Sequence, residues 1–284
     1  MKVAFASYDG TPGGSPDDQQ AARLAGAEWR VWSDPSVDWS VYDRVVVRTV
    51  WDYTWRLDEF LAWCRSVGPE RLRNMPELVA FNSDKRYLAA LNQPTVPTEF
   101  VGPGDPLPSL SGEVVVKPSI SAGARNTGRF PDDRHEEAVA LIETIRASGR
   151  TAMVQPYLPR VGEEGETAVV FIGGEVSHVM NKRPILRTHG IAPLSDGERI
   201  AAAVMFEDDL VSPSSATAPQ TALADAVHAE ISERFGVPLF ARVDMVHGPG
   251  DEPVLLELEV IEPCLYLDTF AGSAERLATA IRAS

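Results

Sequence analysis

The stretch FARVDMV at positions 240–246, followed after a glycine- and proline-containing turn by VLLELEVI at positions 254–261, decides the fold of this chain. Both runs are rich in β-branched and other apolar residues, which predicts two antiparallel strands. Side chains alternate along a strand, so Arg242 and Asp244 share one face and the apolar residues between them share the other. The hairpin therefore combines one apolar face with one charged face.

The register of this hairpin determines how close its acidic residues lie. Pairing Val246 with Leu255 sets Asp244 opposite Glu257, and the arginine opposite Glu259. The apolar face of the second strand then comprises Leu256, Leu258 and Val260. Opposed β-carbons lie roughly 5 Å apart, where carboxylates repel unless a cation intervenes. Such oxygens suit Mg²⁺ shared with phosphate groups; a solvated sheet face with one arginine–glutamate pair is the open alternative.

Composition restricts the classes of function. The chain has 284 residues, 44% of them hydrophobic, and a formal net charge of −15, which argues against general binding to nucleic acid or anionic lipid. It contains no apolar run of about 18 residues and begins with a strand-like segment, so we expect neither a membrane span nor a secretory signal. Two isolated cysteines, Cys64 and Cys264, favour a reducing cytoplasm over a disulfide scaffold. Whether the chain forms a homo-oligomer stays open.

Lysine is rare among the 26 basic residues. The lysines are Lys2, Lys85, Lys117 and Lys182. In a chain that uses arginine so freely, a lysine indicates a place where a compact ammonium group is needed. A composition bias with four accidental survivors explains the count equally well.

The order of elements predicts α/β and α+β architecture. Strands alternate with helices over residues 1–81, which indicates a small α/β domain with a parallel sheet. A short helix is expected over residues 82–91, and five prolines between residues 94 and 108 predict a linker or an extended edge. Gly173-Gly174 predicts a two-residue hairpin turn in an antiparallel second half. We expect domain limits at residues 1–81, 82–157 and 158–284.

Two lysines lie where phosphate groups are commonly bound. Lys117 ends an apolar strand and precedes the small-residue loop SISAGARNTG (119–128), which includes Ser121 and Gly123. Small residues let backbone N–H groups approach an anion closely. Lys85 lies near a helix start, where free N–H groups also favour anions. Neither a P-loop nor a GxGxxG fingerprint is present, and a solvated lysine is the simpler alternative for each position.

Three further segments are candidates for nucleotide or substrate contacts. The segment QPYLP (155–159) can read a base edge through its backbone, and Glu166 can bind ribose hydroxyls. Lys182 and Arg183 follow the second hairpin. The alternatives are a proline-bounded loop, an exposed hairpin glutamate and a basic strand end in solvent.

In this order, the segments DK, VVVKPS, QPYL, GE, RVD and ExE resemble the ATP-grasp ligases from Asn82 to Tyr266. Within that superfamily the chain looks like the glutathione-synthetase and ribosomal-modification branch. It is most similar there to the cyclo-ligases of D-cycloserine biosynthesis, through VVVRTVWDYTWRLDEFLAWC (45–64), DKRYL (84–88) and ELEVIEPCLYLD (257–268). One position departs from the superfamily, which commonly has asparagine where this chain has Glu259. The nearby Glu262 leaves open which carboxylates bind metal.

The resemblance implies an ATP-grasp fold, with the nucleotide held between two α+β subdomains, and a role for each candidate. The residues implied for ATP are Lys85 and Lys117 at the phosphates, Gln155, Tyr157 and Leu158 along the adenine, and Glu166 at the ribose. Ser121 and Gly123 belong to a lid loop, and Arg242 steadies the transferred group. One or two Mg²⁺ ions, or Mn²⁺, are held by Asp244, Glu257 and Glu259. Candidates for the small amino-acid-like substrate are Lys182, Arg183, Arg187, Arg48 and Trp51 to Tyr53.

The resemblance also implies a reaction. ATP converts a substrate carboxylate to an acyl phosphate, and a nitrogen nucleophile then displaces phosphate, either within one molecule or between two. Such catalysis depends on positioning and charge neutralisation, and on exclusion of water. A small-molecule kinase and a non-catalytic nucleotide-binding module are the two alternatives.

Overall fold

A parallel sheet covered by helices forms the N-terminal part of the protein. The computed structural model describes residues 1–192, 194–195, 198–202, 205, 207 and 209–284. Four parallel strands lie in the order β2-β1-β3-β4, as the alternation of elements predicts. These strands are β1 (Val3–Ser7), β2 (Ala27–Val31), β3 (Arg44–Thr49) and β4 (Leu72–Arg73). The helices are α1 (Gln19–Ala25), α2 (Leu57–Val67) and α3 (Pro76–Asn82).

The central part is an antiparallel sheet with one long helix. Its strands are β5 (Glu99–Val101), β6 (Val114–Pro118), β7 (Gly128–Phe130) and β8 (Ala152–Pro156), and its helix is α4 (His135–Ala147). The sheet order is β11-β7-β6-β8-β5, in which β11 (Gly190–Ile191) comes from later in the chain. The proline-rich stretch supplies β5 at the sheet edge, and its prolines lie outside the strand, where they remove no ladder bond.

The C-terminal part is a second antiparallel sheet, in the order β14-β10-β9-β15-β16. Its strands are β9 (Glu166–Ile172), β10 (Glu175–Lys182), β14 (Val211–Pro213), β15 (Phe240–His247) and β16 (Pro253–Glu259). The strands β12 (Leu194–Ser195) and β13 (Glu198–Ala202) form a separate pair. The helices are α5 (Arg160–Glu164), α6 (Ala218–Phe235) and α7 (Ser273–Ala283). Gly173 and Gly174 form the predicted turn with φ of 64° and 87°, values that favour glycine.

The helix predicted over residues 82–91 is present as a shorter 3₁₀ helix within those limits. A separate helix, α3, precedes it and starts at Pro76, because a proline at the first helical position loses no hydrogen bond. Asp84 is extended and caps the 3₁₀ helix, Lys85–Ala90, by accepting a hydrogen bond from the Arg86 backbone N–H. The extended Asp84 changes the direction of the chain after α3. Lys85, at the start of the 3₁₀ helix, is buried instead of exposed.

The C-terminal sheet has two different faces. Ala241, Val243 and Met245 pack toward α6 in one apolar core. On the opposite face, Ala168, Val170 and Phe240 join a second core with α1 and α7, while the far end of this face is charged. That charged end points toward the central sheet. No described helix is long and apolar enough to cross a membrane. The domain limits at residues 81 and 157 stay predictions.

Candidate active site

A cavity of about 250 Å³ lies where all three parts of the chain meet. Lys85, Lys117 and Lys182 line it, so three of the four lysines of the sequence face one space. The other lysine, Lys2, is exposed on the N-terminal part. Because three lysines face one cavity, a composition bias alone does not explain their positions. Their arrangement favours a site that requires compact cations.

The β15–β16 hairpin brings its acidic residues together by a route that the sequence did not indicate. Val246 pairs with Val254, not with Leu255, so the register assumed at the turn is wrong by one residue. A bulge at Leu256 then restores the pairing of Asp244 with Glu257. Beyond the bulge, the arginine pairs with the second glutamate, as predicted. Leu256 consequently lines the cavity beside Glu257, which corrects its assignment to the apolar face.

The β9–β10 hairpin contains a second bulge, at Ser177. A simple two-residue hairpin would place Asn181 opposite Glu166, but the bulge shifts the register so that Lys182 lies there instead. The Lys182 ammonium group lies 2.9 Å from the Glu166 carboxylate and 2.7 Å from that of Asp244. Lys182 is therefore a buried member of the site and not a solvated strand end.

Arg242 and Asp244 form the centre of the wall that β9, β10, β15 and β16 contribute, called here the C-terminal wall. Arg242 donates to both Asp244 oxygens, at 2.8 and 2.9 Å, to Glu259, and to the Cys264 carbonyl at 2.9 Å. Burial would raise the pKa of Asp244, but Arg242 and Lys182 hold it well below its usual range. Every charge in this network has an opposite charge beside it.

Glu257 and Glu259 extend from this network to the cavity surface. Glu257 lies 3.1 Å from the Lys85 ammonium group, and each glutamate side chain is 26% exposed. Burial would raise the pKa of Glu257, but Lys85 and Lys117 lower it. Burial raises the pKa of Glu259 to about 7; Arg242 opposes this rise, and Glu257 adds to it. Negative charge at Glu259 is therefore incompletely balanced.

Lys117 faces the same cavity from β6 of the central sheet. It is 9% exposed, and no carboxylate of the described residues lies within ion-pair distance of it. Burial lowers its pKa; Glu257 offsets part of this effect, and the neighbouring Lys85 adds to it. A buried ammonium group in this state has an electrostatic need for an anion.

Oxygen donors for a divalent cation are available at the cavity surface. Among the residues that the structure describes, no three acidic, histidine or cysteine side chains already converge as a metal site. Glu257 and Glu259 fit a hard cation, because their carboxylates face the cavity and Arg242 offsets only part of the effect of burial on Glu259. Asp244 lies behind them, does not line the cavity, and is occupied by Arg242 and Lys182.

The small-residue loop closes over the lysines. The Ser121 carbonyl accepts a hydrogen bond of 2.6 Å from Lys85, and Ser121 and Gly123 line the cavity. Arg125 donates to the Thr54 hydroxyl at 3.0 Å and covers the Trp55 ring at 4.2 Å. The loop is thereby attached to the N-terminal part across the cavity.

The segment QPYLP lies along another side of the cavity. Gln155, Tyr157 and Leu158 all line it. Gln155 donates to the Thr98 hydroxyl at 2.8 Å, and Leu158 packs in a small apolar cluster with Val96. This side combines apolar contacts with main chain, the combination that a flat heteroaromatic ring requires.

Three of the predicted substrate residues lie outside the cavity. Arg183 pairs with Asp209, and Arg187 lies 2.7 Å from Glu207; both line a neighbouring depression that shares Pro184 and Leu186 with the cavity. Arg48 is buried, lies 2.8 Å from Asp18, and likewise does not line the cavity. Their proposed contacts with substrate stay predictions without support from this arrangement.

Trp51 and Tyr53 do line the cavity, where they meet residues to which the sequence gave no role. These residues are Glu262 and Tyr266, which line the cavity together with Tyr53. Burial raises the pKa of Glu262 to about 8, and Glu259 adds to this rise. The signal available in the sequence was ELEVIEPCLYLD, which carries Glu262 three residues beyond the acidic strand.

Comparison with known proteins finds one group repeatedly. The family model described as the N-terminal domain of D-cycloserine synthetase DcsG matches residues 3–74. The cycloserine biosynthesis protein DcsG of Streptomyces lavendulae is 33% identical over 281 residues, which cover 92% of this chain and 90% of that protein.

Solved structures agree with these matches. The crystal structure of D-cycloserine synthetase DcsG superposes with a TM-score of 0.82 at 30% identity, over 99% of this chain and 98% of that one. A RimK domain ATP-grasp protein of Sphaerobacter thermophilus DSM 20745 has a TM-score of 0.62 at 16% identity, over 99% and 98% of the two chains. The latter likeness concerns the fold alone.

Proposed function

The chain belongs to the DcsG family of ATP-grasp ligases, which are enzymes that form C–N bonds. From this premise we propose that it closes a ring within a small amino-acid-like acid, as in D-cycloserine formation. The observation that carries the proposal is the single cavity in which Lys85 and Lys117 face Glu257 and Glu259. Cations for phosphate groups and oxygens for a divalent ion then line the same space, with Lys85 directly beside Glu257.

In this proposal the nucleotide spans the cavity. Gln155, Tyr157 and Leu158 contact the base, and Lys85 and Lys117 contact the phosphate groups. The lowered pKa of Lys117 supports the latter role, because a bound phosphate supplies the missing counter-charge. Glu166 takes the ribose hydroxyls with one oxygen while Lys182 holds its carboxylate in place.

A divalent ion, Mg²⁺ or Mn²⁺, fits Glu257 and Glu259. When bound, it supplies positive charge that offsets the charge of the triphosphate and of the developing acyl phosphate. Asp244 does not line the cavity and lies behind this pair, where its bonds to Arg242 and Lys182 keep it ionised and hold both cations in place.

The chain's own residues then guide two transfers. A substrate carboxylate oxygen attacks the γ-phosphorus, and the bond to the bridging oxygen breaks to release ADP. The nitrogen nucleophile attacks the acyl carbon, loses its proton, and displaces phosphate as the C–O bond breaks. Lys85, Lys117 and Arg242 offset negative charge during both steps. The loop anchored by Arg125 excludes water, which would otherwise hydrolyse the acyl phosphate.

The test is a product analysis with Mg·ATP and aminooxy, ureido and dipeptide-like amino acids. We expect ADP and phosphate instead of AMP and pyrophosphate, with a cyclic product in the mass spectrum. Added hydroxylamine should trap the acyl phosphate as a hydroxamate. A stable phosphorylated product without phosphate release would indicate a kinase, and nucleotide binding without turnover would indicate a binding module.

Glu257→Gln provides the site-specific variant for this test. Removing its charge should lower the rate of phosphate release by about 100-fold or more, because a ligand of the metal and the partner of Lys85 are lost together. Glu252→Gln is the matched control, since Glu252 is an exposed residue at the turn of the same hairpin. Equal rates of phosphate release in both variants would show that Glu257 has no role in the reaction.

A further inference from the structure

One part of the cavity wall has no role in holding the nucleotide. It is formed by residues 262–266 together with Trp51 and Tyr53, and is called here the substrate wall. Glu262 is its acidic residue: burial raises the pKa of the carboxyl, and the Tyr53 hydroxyl beside it offsets part of this rise. Rings of tryptophan and tyrosine provide the remaining surface, with Tyr266 on the later segment.

Glu262 has no cationic partner of its own among the residues that the structure describes. No lysine, arginine or histidine of the described residues lies within ion-pair distance of its carboxylate. Lys85 is the nearby cation that contributes electrostatically, but it already lies 3.1 Å from Glu257 and donates to the Ser121 carbonyl. Arg242 is equally committed to its own partners. A cationic group from outside the protein is what would complete this wall.

The chemistry of the wall favours an ammonium group over a second metal ion. A carboxylate beside a phenol and aromatic rings offers one strong acceptor and π-surfaces that attract an organic cation. A metal ion requires several oxygens, and Glu257 and Glu259 are the pair assigned to it here. The aromatic rings of the substrate wall therefore distinguish the Glu262 carboxyl from that pair.

The backbone of the substrate wall is held in one conformation. Tyr266 has a φ of 52°, in the left-handed region that is costly for a tyrosine. Side chains from five other elements or loops bind the main chain of residues 263–267. The bonds are Arg48 to Pro263 O (2.9 Å), Arg242 to Cys264 O (2.9 Å), His178 to Leu265 O (2.9 Å), Tyr266 N to Asp17 (2.9 Å) and Ser273 to Leu267 O (3.0 Å).

Such extensive tethering presents Glu262 at a fixed place before any ligand arrives. A preset acceptor loses little conformational entropy on binding, which raises its discrimination between ligands. The tethers also explain why Arg48 is buried away from the cavity: it holds the wall instead of contacting the substrate.

We propose that Glu262 binds the ammonium group of the small substrate, so that the enzyme selects acids that carry a free α-amino group. This inference rests on the proposed ligase site and names its substrate class. Tyr53 orients the carboxylate, and the rings of Trp51 and Tyr266 enclose the cationic head. The nucleophilic nitrogen is a different atom and does not contact Glu262.

The test measures binding and not turnover. β-Aminooxy-D-alanine and 3-(aminooxy)propanoic acid differ only in the α-amino group, so they form a matched pair of probes. Isothermal titration of each is performed on the protein saturated with Mg²⁺ and a non-hydrolysable ATP analogue. We expect the wild-type protein to bind the first acid about 10–100-fold more tightly than the second.

Glu262→Gln should remove this preference by weakening binding of the α-amino acid, while affinity for the other acid is unchanged. Glu262→Asp should retain part of the preference, and Glu252→Gln should behave as wild type. Equal binding of both acids by the wild type, absence of binding by either, or a preference that survives in Glu262→Gln would overturn the inference. Failure of the proposed function would appear separately, as absence of phosphate release by the wild type with every acid tested.

Discussion

Two buried lysines face the same cavity from opposite sheets, and their surroundings differ. Lys182 on the C-terminal wall lies within 2.9 Å of two carboxylates, those of Asp244 and Glu166. Lys117 on the central sheet has no carboxylate within ion-pair distance in the part of the chain that the structure describes. Burial lowers the pKa of both, but the two carboxylates raise that of Lys182 above its usual range, whereas that of Lys117 stays lowered.

This difference indicates that Lys182 has a structural role, whereas the positive charge of Lys117 is balanced only when a ligand binds. The charges around Lys182 are complete before any ligand binds, so this lysine helps to hold the fold. Lys117 carries an electrostatic cost in the free protein that a bound phosphate would remove. The same residue type can therefore stabilise one wall of a cavity and prepare the other for a nucleotide.

The largest expected effect is on stability, from Lys182→Met. It leaves Asp244 and Glu166 buried without their shared cation, and should lower the free energy of unfolding by about 3–5 kcal/mol. Urea unfolding followed by circular dichroism measures this change. Lys117→Met is the matched comparison and should leave the free energy of unfolding unchanged or slightly raised. Equal destabilisation by both substitutions would abolish the distinction between the two lysines.

The next effect is on activity, from Lys117→Met. Loss of the phosphate contact should lower the rate of phosphate release by about 100–1000-fold, because charge that develops during transfer is no longer offset. Lys2→Met is the control, since Lys2 is exposed on the N-terminal part. Wild-type turnover in Lys117→Met would show that this lysine contacts no phosphate group.

A smaller effect is a loss of stability at low pH that arises at the C-terminal wall. His178 on β10 donates to the Leu265 carbonyl and stacks on Phe270 at 4.1 Å, and burial lowers its pKa from 6.5 to about 4. Between those values the unfolded chain binds more protons than the folded one, so stability falls as the pH falls. We expect a loss of about 2 kcal/mol between pH 7 and pH 4.5.

His178→Gln isolates this contribution, because glutamine can keep a hydrogen bond to the carbonyl without titrating. The variant should lose less stability than the wild type over the same pH interval in urea unfolding experiments. If the free energy of unfolding depended on pH identically in both proteins, groups other than His178 would cause the acid sensitivity.

The sequence predicted much of the fold where local patterns were strong. α2 and α7 coincide with runs of helical apolar spacing that end or begin at a glycine, Gly68 after α2 and Gly272 before α7. The edge strand β5 was partly anticipated from prolines. The helix predicted over residues 82–91 is shorter and of 3₁₀ type, because the extended Asp84 caps it. Tertiary context can override local propensity in this way, and a local pattern does not contain it.

For the site, residue types were more predictable than positions. The acidic strand, the lysine of VVVK and the segment QPYL all line the cavity. Arg183 and Arg187 do not, although Arg183 immediately follows a lysine that does. Alternation along a strand separates Lys182 from Arg183: one points into the fold and the other into solvent. Only the tertiary register decides which of two neighbours is buried.

By itself the sequence determined the chemistry of this protein: a scarce set of lysines, an acidic hairpin and an ordered series of segments typical of ATP-grasp ligases. The tertiary structure decided which of those groups meet. Bulges at Ser177 and Leu256 each shift a strand by one residue, which places Lys182 opposite Glu166 and turns Leu256 toward the cavity. Since side chains repeat every two residues, such a shift exchanges the faces of a strand, and nothing local in either hairpin encodes it.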